Sequence, residues 1–161
     1  METRFKAVRT EDEELVASIL THPTVLPHVI DDGVCALKGF INPTMFWITV
    51  YDEGELLGMF LSHPHNSVTY ESHTCLLPNA YGARAVKAAH AYMEWMFTWT
   101  ACQKLITNVP EYNKLALRFA RKVGGVLEGC NRQSFLKDGV LMDQYVLGIT
   151  KGEFLCQHSP Q

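Results

Sequence analysis

The sequence predicts one mixed α/β domain (α+β), with a central sheet of six to seven strands flanked by helices. Three features carry that reading. The 161 residues are 47% hydrophobic and 19% charged, enough apolar material for a single packed interior. Residues 46–77 are apolar runs broken by two tight turns, as antiparallel strands are. After Gly82 the period turns helical, and a strand, a second helix and a hairpin follow.

Phe5–Arg9 alternates and reads as the first strand. Thr10 reads as an N-cap ahead of Glu11, Asp12 and Glu13, acids that suit the helix dipole, and Leu15, Val16, Ile19 and Leu20 supply the apolar stripe. Between Thr21 and Pro43, Pro23, Pro27, Gly33 and Gly39 break any helix, so this stretch shapes a binding site rather than a core. Phe46–Tyr51 and Leu56–Ser62 pair around Asp52-Glu53-Gly54-Glu55, and Pro64-His65-Asn66-Ser67 leads into Val68–Leu77. Ala83–Thr100 reads as a helix covered on most sides, with Trp95, Met96, Phe97 and Trp99 as core. Lys104–Val109 is a buried-type strand, and Glu111–Val123 an amphipathic helix stopped by Gly124-Gly125. Val126–Phe135 and Val140–Ile149 close the domain as a hairpin, so residues 1–150 form the domain and 151–161 a frayed tail.

Composition excludes several classes. The balance of 14 Lys+Arg against 17 Asp+Glu, net −3, disfavours a nucleic-acid partner. Met1–Lys6 lacks the apolar run of a signal peptide, and Arg84, Lys87, His90 and Glu94 interrupt the most apolar helix, so no membrane span is expected. Cys35, Cys75, Cys102, Cys130 and Cys156 are odd in number and free of C-x-x-C, as in a reducing cytoplasm.

The junction Leu76-Leu77-Pro78-Asn79-Ala80-Tyr81-Gly82-Ala83-Arg84-Ala85 runs a strand into a helix through Pro and Gly. Such a turn exposes backbone N–H groups at the positive end of the helix dipole, a seat for phosphate or pyrophosphate. Gly82 lets the backbone approach a ligand, and Arg84 can add a charge-assisted contact; an ordinary βα turn is the competing reading. Neither G-x-x-x-x-G-K-[ST] nor G-x-G-x-x-G is present, which disfavours nucleoside triphosphates and NAD. On the preceding strand Glu71 and His73 stand at i, i+2, so both take one face and can relay a proton, unless a bulge reverses the facing. The plain alternatives are a cross-strand ion pair and a hydrogen-bonded sheet histidine. His63, His65 and His73 could converge across the hairpin as a metal triad; with no carboxylate or cysteine in register they read instead as solvated hairpin residues, and no metal is expected. Glu128 and Arg132 read as a strand-end ion pair, and Tyr145 as a core tyrosine.

The element order, Pro78-x-x-x-Gly82, and the run Asn113-Lys-Leu-Ala116-Leu-Arg118-Phe119-Ala-Arg-Lys122-Val-Gly124-Gly125 resemble the GNAT superfamily of acyl-CoA-dependent N-acetyltransferases. With Glu128-Gly129-Cys-Asn-Arg132 added, the run is similar to the branch holding the ribosomal-protein N-terminal acetyltransferases; small acetyltransferases of tailed bacteriophages also look similar. The resemblance covers Phe46–Ile149, and the earlier residues by element order alone. It implies acetyl-CoA in a V-shaped opening between two splayed central parallel strands. Leu76 and Leu77 would pair with the pantetheine, and the amides of Gly82, Ala83, Arg84 and Ala85 would hold the pyrophosphate. Asn113 would touch the pantetheine arm, and Phe119 with Arg118, Arg121 and Lys122 would lie along the adenosine half. Glu71 falls where that branch often has a strand glutamate.

Two departures follow from the same resemblance. The family pattern Q/R-x-x-G-x-G/A falls on Tyr81–Val86, where Tyr81, Arg84 and Val86 differ, leaving anion binding to backbone amides. Ala120 stands where many members carry a tyrosine that protonates the leaving thiolate, so the general acid is unassigned. The expected function is direct acetyl transfer from acetyl-CoA to a primary amine of a small molecule, peptide or protein, with Glu71 and His73 catalytic and Cys75 dispensable. The competing reading is a degenerate GNAT-fold module that binds CoA or a protein without catalysis. An RNA-acetylating enzyme is disfavoured by the charge balance, and exposed sheet edges allow a homodimer.

Overall fold

A computed structural model describes residues 4–32 and 43–159; Gly33, Cys35 and Gly39, in the stretch expected to line the acceptor side, lie outside the described residues. The strands are β1 (Phe5–Arg9), β2 (Phe46–Asp52), β3 (Glu55–Pro64), β4 (Thr69–Leu76), β5 (Lys104–Pro110), β6 (Val126–Lys137) and β7 (Val140–Thr150). They form one seven-stranded sheet in the order β1-β2-β3-β4-β5-β7-β6. All neighbours are antiparallel except β4 and β5, whose parallel alignment requires the long crossover that α3 (Ala83–Trp99) supplies. β4 carries no bulge: its register with β3 is unbroken from Pro64↔Tyr70 to Gly58↔Leu76.

Helices cover both faces. On one, α1 (Glu13–Leu20) buries Val16, Ile19 and Leu20 against Trp47, Met59 and Cys75. On the other, Ala88, Tyr92, Met96 and Phe97 of α3 meet Ile48, Phe60, Leu105 and Phe154. The Tyr92 hydroxyl shares a buried hydrogen bond with Ser62, and its ring stacks on Phe60 at 4.3 Å. α4 (Lys114–Lys122) sets Ala120 against Val109 and Leu147. Of the aromatic run expected in the core, Phe97 is buried beside Met96 and Trp95 packs against that cluster, but Trp99 is 73% exposed where the helix ends.

Three boundaries differ from the sequence expectation, each because a cap forms elsewhere. Asp12 rather than Thr10 caps α1, its Oδ1 accepting from Leu15 N at 3.0 Å. Asn113 accepts from Ala116 N at 3.0 Å, so α4 begins at Lys114 rather than Glu111. Residues expected as a tail form α5 (Lys151–His158), started by a capping box of Thr150 and Glu153 and held by buried Phe154. The β6–β7 turn is also strapped to the segment after α2 (Leu26–Val29). Asp32 carboxylate oxygens accept from Asp138 N (3.0 Å) and Gly139 N (2.8 Å), and Lys137 Nζ donates to Pro27 O (2.7 Å). No helix among the described residues is long and apolar enough to cross a membrane.

Candidate active site

β4 and β5 pair over three residues only, from Thr69↔Lys104 to Glu71↔Ile106, and then part. β4 stays with β3 as far as Leu76 and β5 with β7 as far as Pro110, so a wedge opens between them. Leu77 N donates to Leu57 O at 2.9 Å on the β3 side, so by alternation Thr74 and Leu76 turn their peptide groups into the wedge. β4 then passes through the short turn Pro78–Ala80 into α3. Gly82 caps that helix at φ +82° with no side-chain bond, and a Cβ there would meet nothing within 4 Å. The amides of Ala83 and Arg84 find no backbone partner among the described residues, so the helix start offers two donors at its positive end.

Glu71 stands at the apex, the last β4 residue paired with β5. Its side chain is 13% exposed; Asn108 Nδ2 donates to Oε1 at 3.0 Å and His65 Nε2 lies 2.8 Å from Oε2. His63 Nε2 and His73 Nε2 stand 3.9 and 3.8 Å from the same carboxylate and 3.1 Å from each other. Register produces this cluster: His63 pairs directly with Glu71, and His73 follows Glu71 by two on the same face. Burial pushes the Glu71 carboxyl up, but the bonds from Asn108 and His65, with His73 and His63 nearby, outweigh it and hold the group below its ordinary range. Burial lowers His73 against the opposing pull of Glu71. At neutral pH the pair is a carboxylate beside a neutral imidazole.

Leu76 and Leu77 border the wedge, and Ala83 and Arg84 bring amides to its far end. The Ala85 amide is bonded to Gly82 O at 3.2 Å. The Arg84 guanidinium turns to the β2–β3 turn instead of the helix start: Nε donates to Asp52 Oδ2 (2.9 Å) and Nη1 to Asn79 O (2.8 Å), with Glu55 as a third partner. Asn113 is spent as the α4 cap, and Phe119 packs against the core on the α3 side. Glu128 pairs with Lys104 at 2.7 Å rather than with Arg132, each of the two lying in one of the irregular stretches of β6. Cys75 is buried, its thiol pushed up to about 12 by desolvation. Sequence pattern does not reach Asn108 or Asn131, whose Nδ2 donates to Asn108 Oδ1 at 2.8 Å; the one signal is a polar amide inside an otherwise apolar strand. A hollow of about 780 Å³ between α3 and α5, with Lys87, His90, Phe154 and His158 in its lining, contains none of these residues.

Among solved structures, spermidine N-acetyltransferase from Vibrio cholerae in complex with CoA and spermine matches with TM-score 0.79 at 16% identity, over 94% of this chain and 98% of that one. A chimera of the Vibrio cholerae enzyme with hSSAT gives TM-score 0.78 at 16% identity, over 95% and 99%. A probable acetyltransferase gives 0.59 at 16% identity, over 69% and 64%. Likeness at these identities establishes the fold, which is that of the GNAT acetyltransferases. No curated protein matches the chain in sequence. The model described as "Protein of unknown function (DUF2824)" matches residues 13–150, most of the chain, and the chain belongs to that family.

Proposed function

We propose that the protein transfers an acetyl group from acetyl-CoA to a primary amine. The observation that carries this is one wedge with three parts: an unpaired β4 edge, an anion-ready helix start beyond it, and, at its apex, a largely covered carboxylate beside a solvent-accessible imidazole. The residues fit the cosubstrate. A glycine-capped helix start can hold a diphosphate without a basic side chain, which offsets the departures at Tyr81 and Val86. The outward peptides of Thr74 and Leu76 can pair with an amide-bearing arm as with an added strand.

When bound, acetyl-CoA supplies the thioester carbonyl that the amine attacks and the thiol that leaves. An ammonium of pKa about 8–10 must lose a proton before its lone pair can attack. His73, directly or through one water, takes that proton, and the Glu71 carboxylate 3.8 Å away stabilises the imidazolium. Asn108 fixes Glu71 through Oε1. Buried Cys75 stays protonated, so transfer is direct and no acyl-enzyme forms. The described cysteines are all free, consistent with a cytoplasmic site of action.

Thermal shift with CoA and acetyl-CoA, followed by CoA release on spermidine, lysine and peptide amines, tests the reading. Stabilisation of about 2.7 kcal/mol is expected at 100 times Kd. Glu71→Gln should keep that stabilisation and lower release by about 10²-fold or more. No shift at millimolar cofactor would remove the reading; a shift with no release on any amine would turn it to a binding module.

A further inference from the structure

We propose that His63, Glu71 and His73 form a binding site for one divalent transition-metal ion of the zinc class, with water completing the coordination. Each of the three offers one ligand atom, and these atoms lie within 4.8 Å of one another. The β3–β4 register brings a carboxylate to the histidines by setting Glu71 directly opposite His63, which gives a His₂Glu ligand set.

The separations fit a tetrahedral ion. Metal–ligand distances of about 2.0–2.1 Å at tetrahedral angles give ligand–ligand edges of about 3.3–3.4 Å. The two imidazole nitrogens stand 3.1 Å apart, and each nears a different carboxylate oxygen, His73 at 3.8 Å from Oε1 and His63 at 3.9 Å from Oε2, so closing on an ion needs a rotation of the Glu71 carboxylate that brings one oxygen to both rings. All the histidines present Nε2 to the cluster. A proton between His63 Nε2 and His73 Nε2 can serve that pair only when the two rings hold opposite tautomers. A cation instead accepts a lone pair from each ring and from Glu71 at once. The outer support is also present: Asn108 donates to Glu71 Oε1 and is itself held by Asn131, an arrangement that fixes a ligating carboxylate. Two imidazoles and one carboxylate select zinc-like ions over magnesium or calcium, which take oxygen donors.

Binding does not depend on the transferase reading. A consequence does rest on it: an ion held there occupies the lone pairs that would receive the amine proton, so metal loading and acetyl transfer exclude each other.

Equilibrium dialysis of the chelator-stripped full chain against Zn²⁺, with Co²⁺ as a visible-absorbing substitute, tests the site. One equivalent per chain is expected, with the ligand-field absorption of four-coordinate Co²⁺. His63→Gln, outside the proposed proton path, should weaken binding at least tenfold, and so should Glu71→Gln; Asn108→Ala should weaken it about tenfold through the outer shell. Thermal melts confirm that the variants fold. No saturable binding, or one equivalent unchanged in both His63→Gln and Glu71→Gln, would overturn the proposal. If CoA release is found, Zn²⁺ should suppress it in the wild type and not in His63→Gln. If none is found, the dialysis result stands alone.

Discussion

Gly58 and Gly82 both hold positive φ, +128° and +82°, yet they answer to different constraints. A Cβ on Gly58 would stand 2.4 Å from Cys75 O and 2.8 Å from Leu76 Cα, forcing β3 off β4 along the edge of the wedge. Around Gly82 nothing lies within 4 Å, so alanine there meets only the conformational penalty, about 1–3 kcal/mol for a positive φ with ψ −138°. Gly58→Ala should therefore lower Tm well beyond Gly82→Ala when both are followed by circular dichroism. Equal shifts would mean that the backbone approach at Gly58 relaxes freely. The pairing of Glu71 with His73 is legible in the sequence because strand parity is a counting rule. A meeting of His63, His65 and His73 across the hairpin is legible too, but that it centres on Glu71 and draws in Asn108 is not, because that depends on cross-strand register and on which rotamers converge.

Elements were legible where apolar period and punctuation agree, as in β2, β3 and α3, and blurred where a cap competes with the pattern. α5 shows why. Its Thr150-x-x-Glu153 signature is present in the sequence, but a short helix with a single buried anchor, Phe154, has too weak a stripe to be told from a tail. Thr150→Ala should cost about 1 kcal/mol through the lost cap, a Tm fall of about 2–4 °C. Phe154→Ala should cost about 3–5 kcal/mol, because it empties a site between α3 and the sheet. A null effect of Phe154→Ala in thermal unfolding would show α5 to be peripheral. In the same way Asn113 moves the start of α4 past Glu111, a choice between neighbouring caps that hydrophobic spacing does not decide.

Across the whole molecule, buried Asp52 gathers three distant parts of the chain. Arg4 Nε (2.6 Å) comes from the start of β1 and Arg84 Nε (2.9 Å) from the first turn of α3, while Asp52 itself ends β2. The Arg4 hydrogen bond first, with Arg84 adding to it against burial, holds the Asp52 carboxyl below its ordinary value. The unfolded chain therefore takes up this proton at higher pH than the folded one. The stabilisation is whole above about pH 4–5 and is lost as pH falls through the folded-state value. Melting curves across pH should show a wide gap between wild type and Asp52→Asn at neutrality that narrows below about pH 4; a constant gap would mean the charge contributes nothing. The three-residue seam between β4 and β5 has a mechanical corollary. The sheet is two plates, one of β1 to β4 and one of β5, β7 and β6, riveted at Glu71↔Ile106 and again where Asp32 clasps the distal hairpin. Between those rivets no backbone ladder joins the described strands, and only the shared core under α3 spans the gap, so a guest lodged there would act as a splint between the plates.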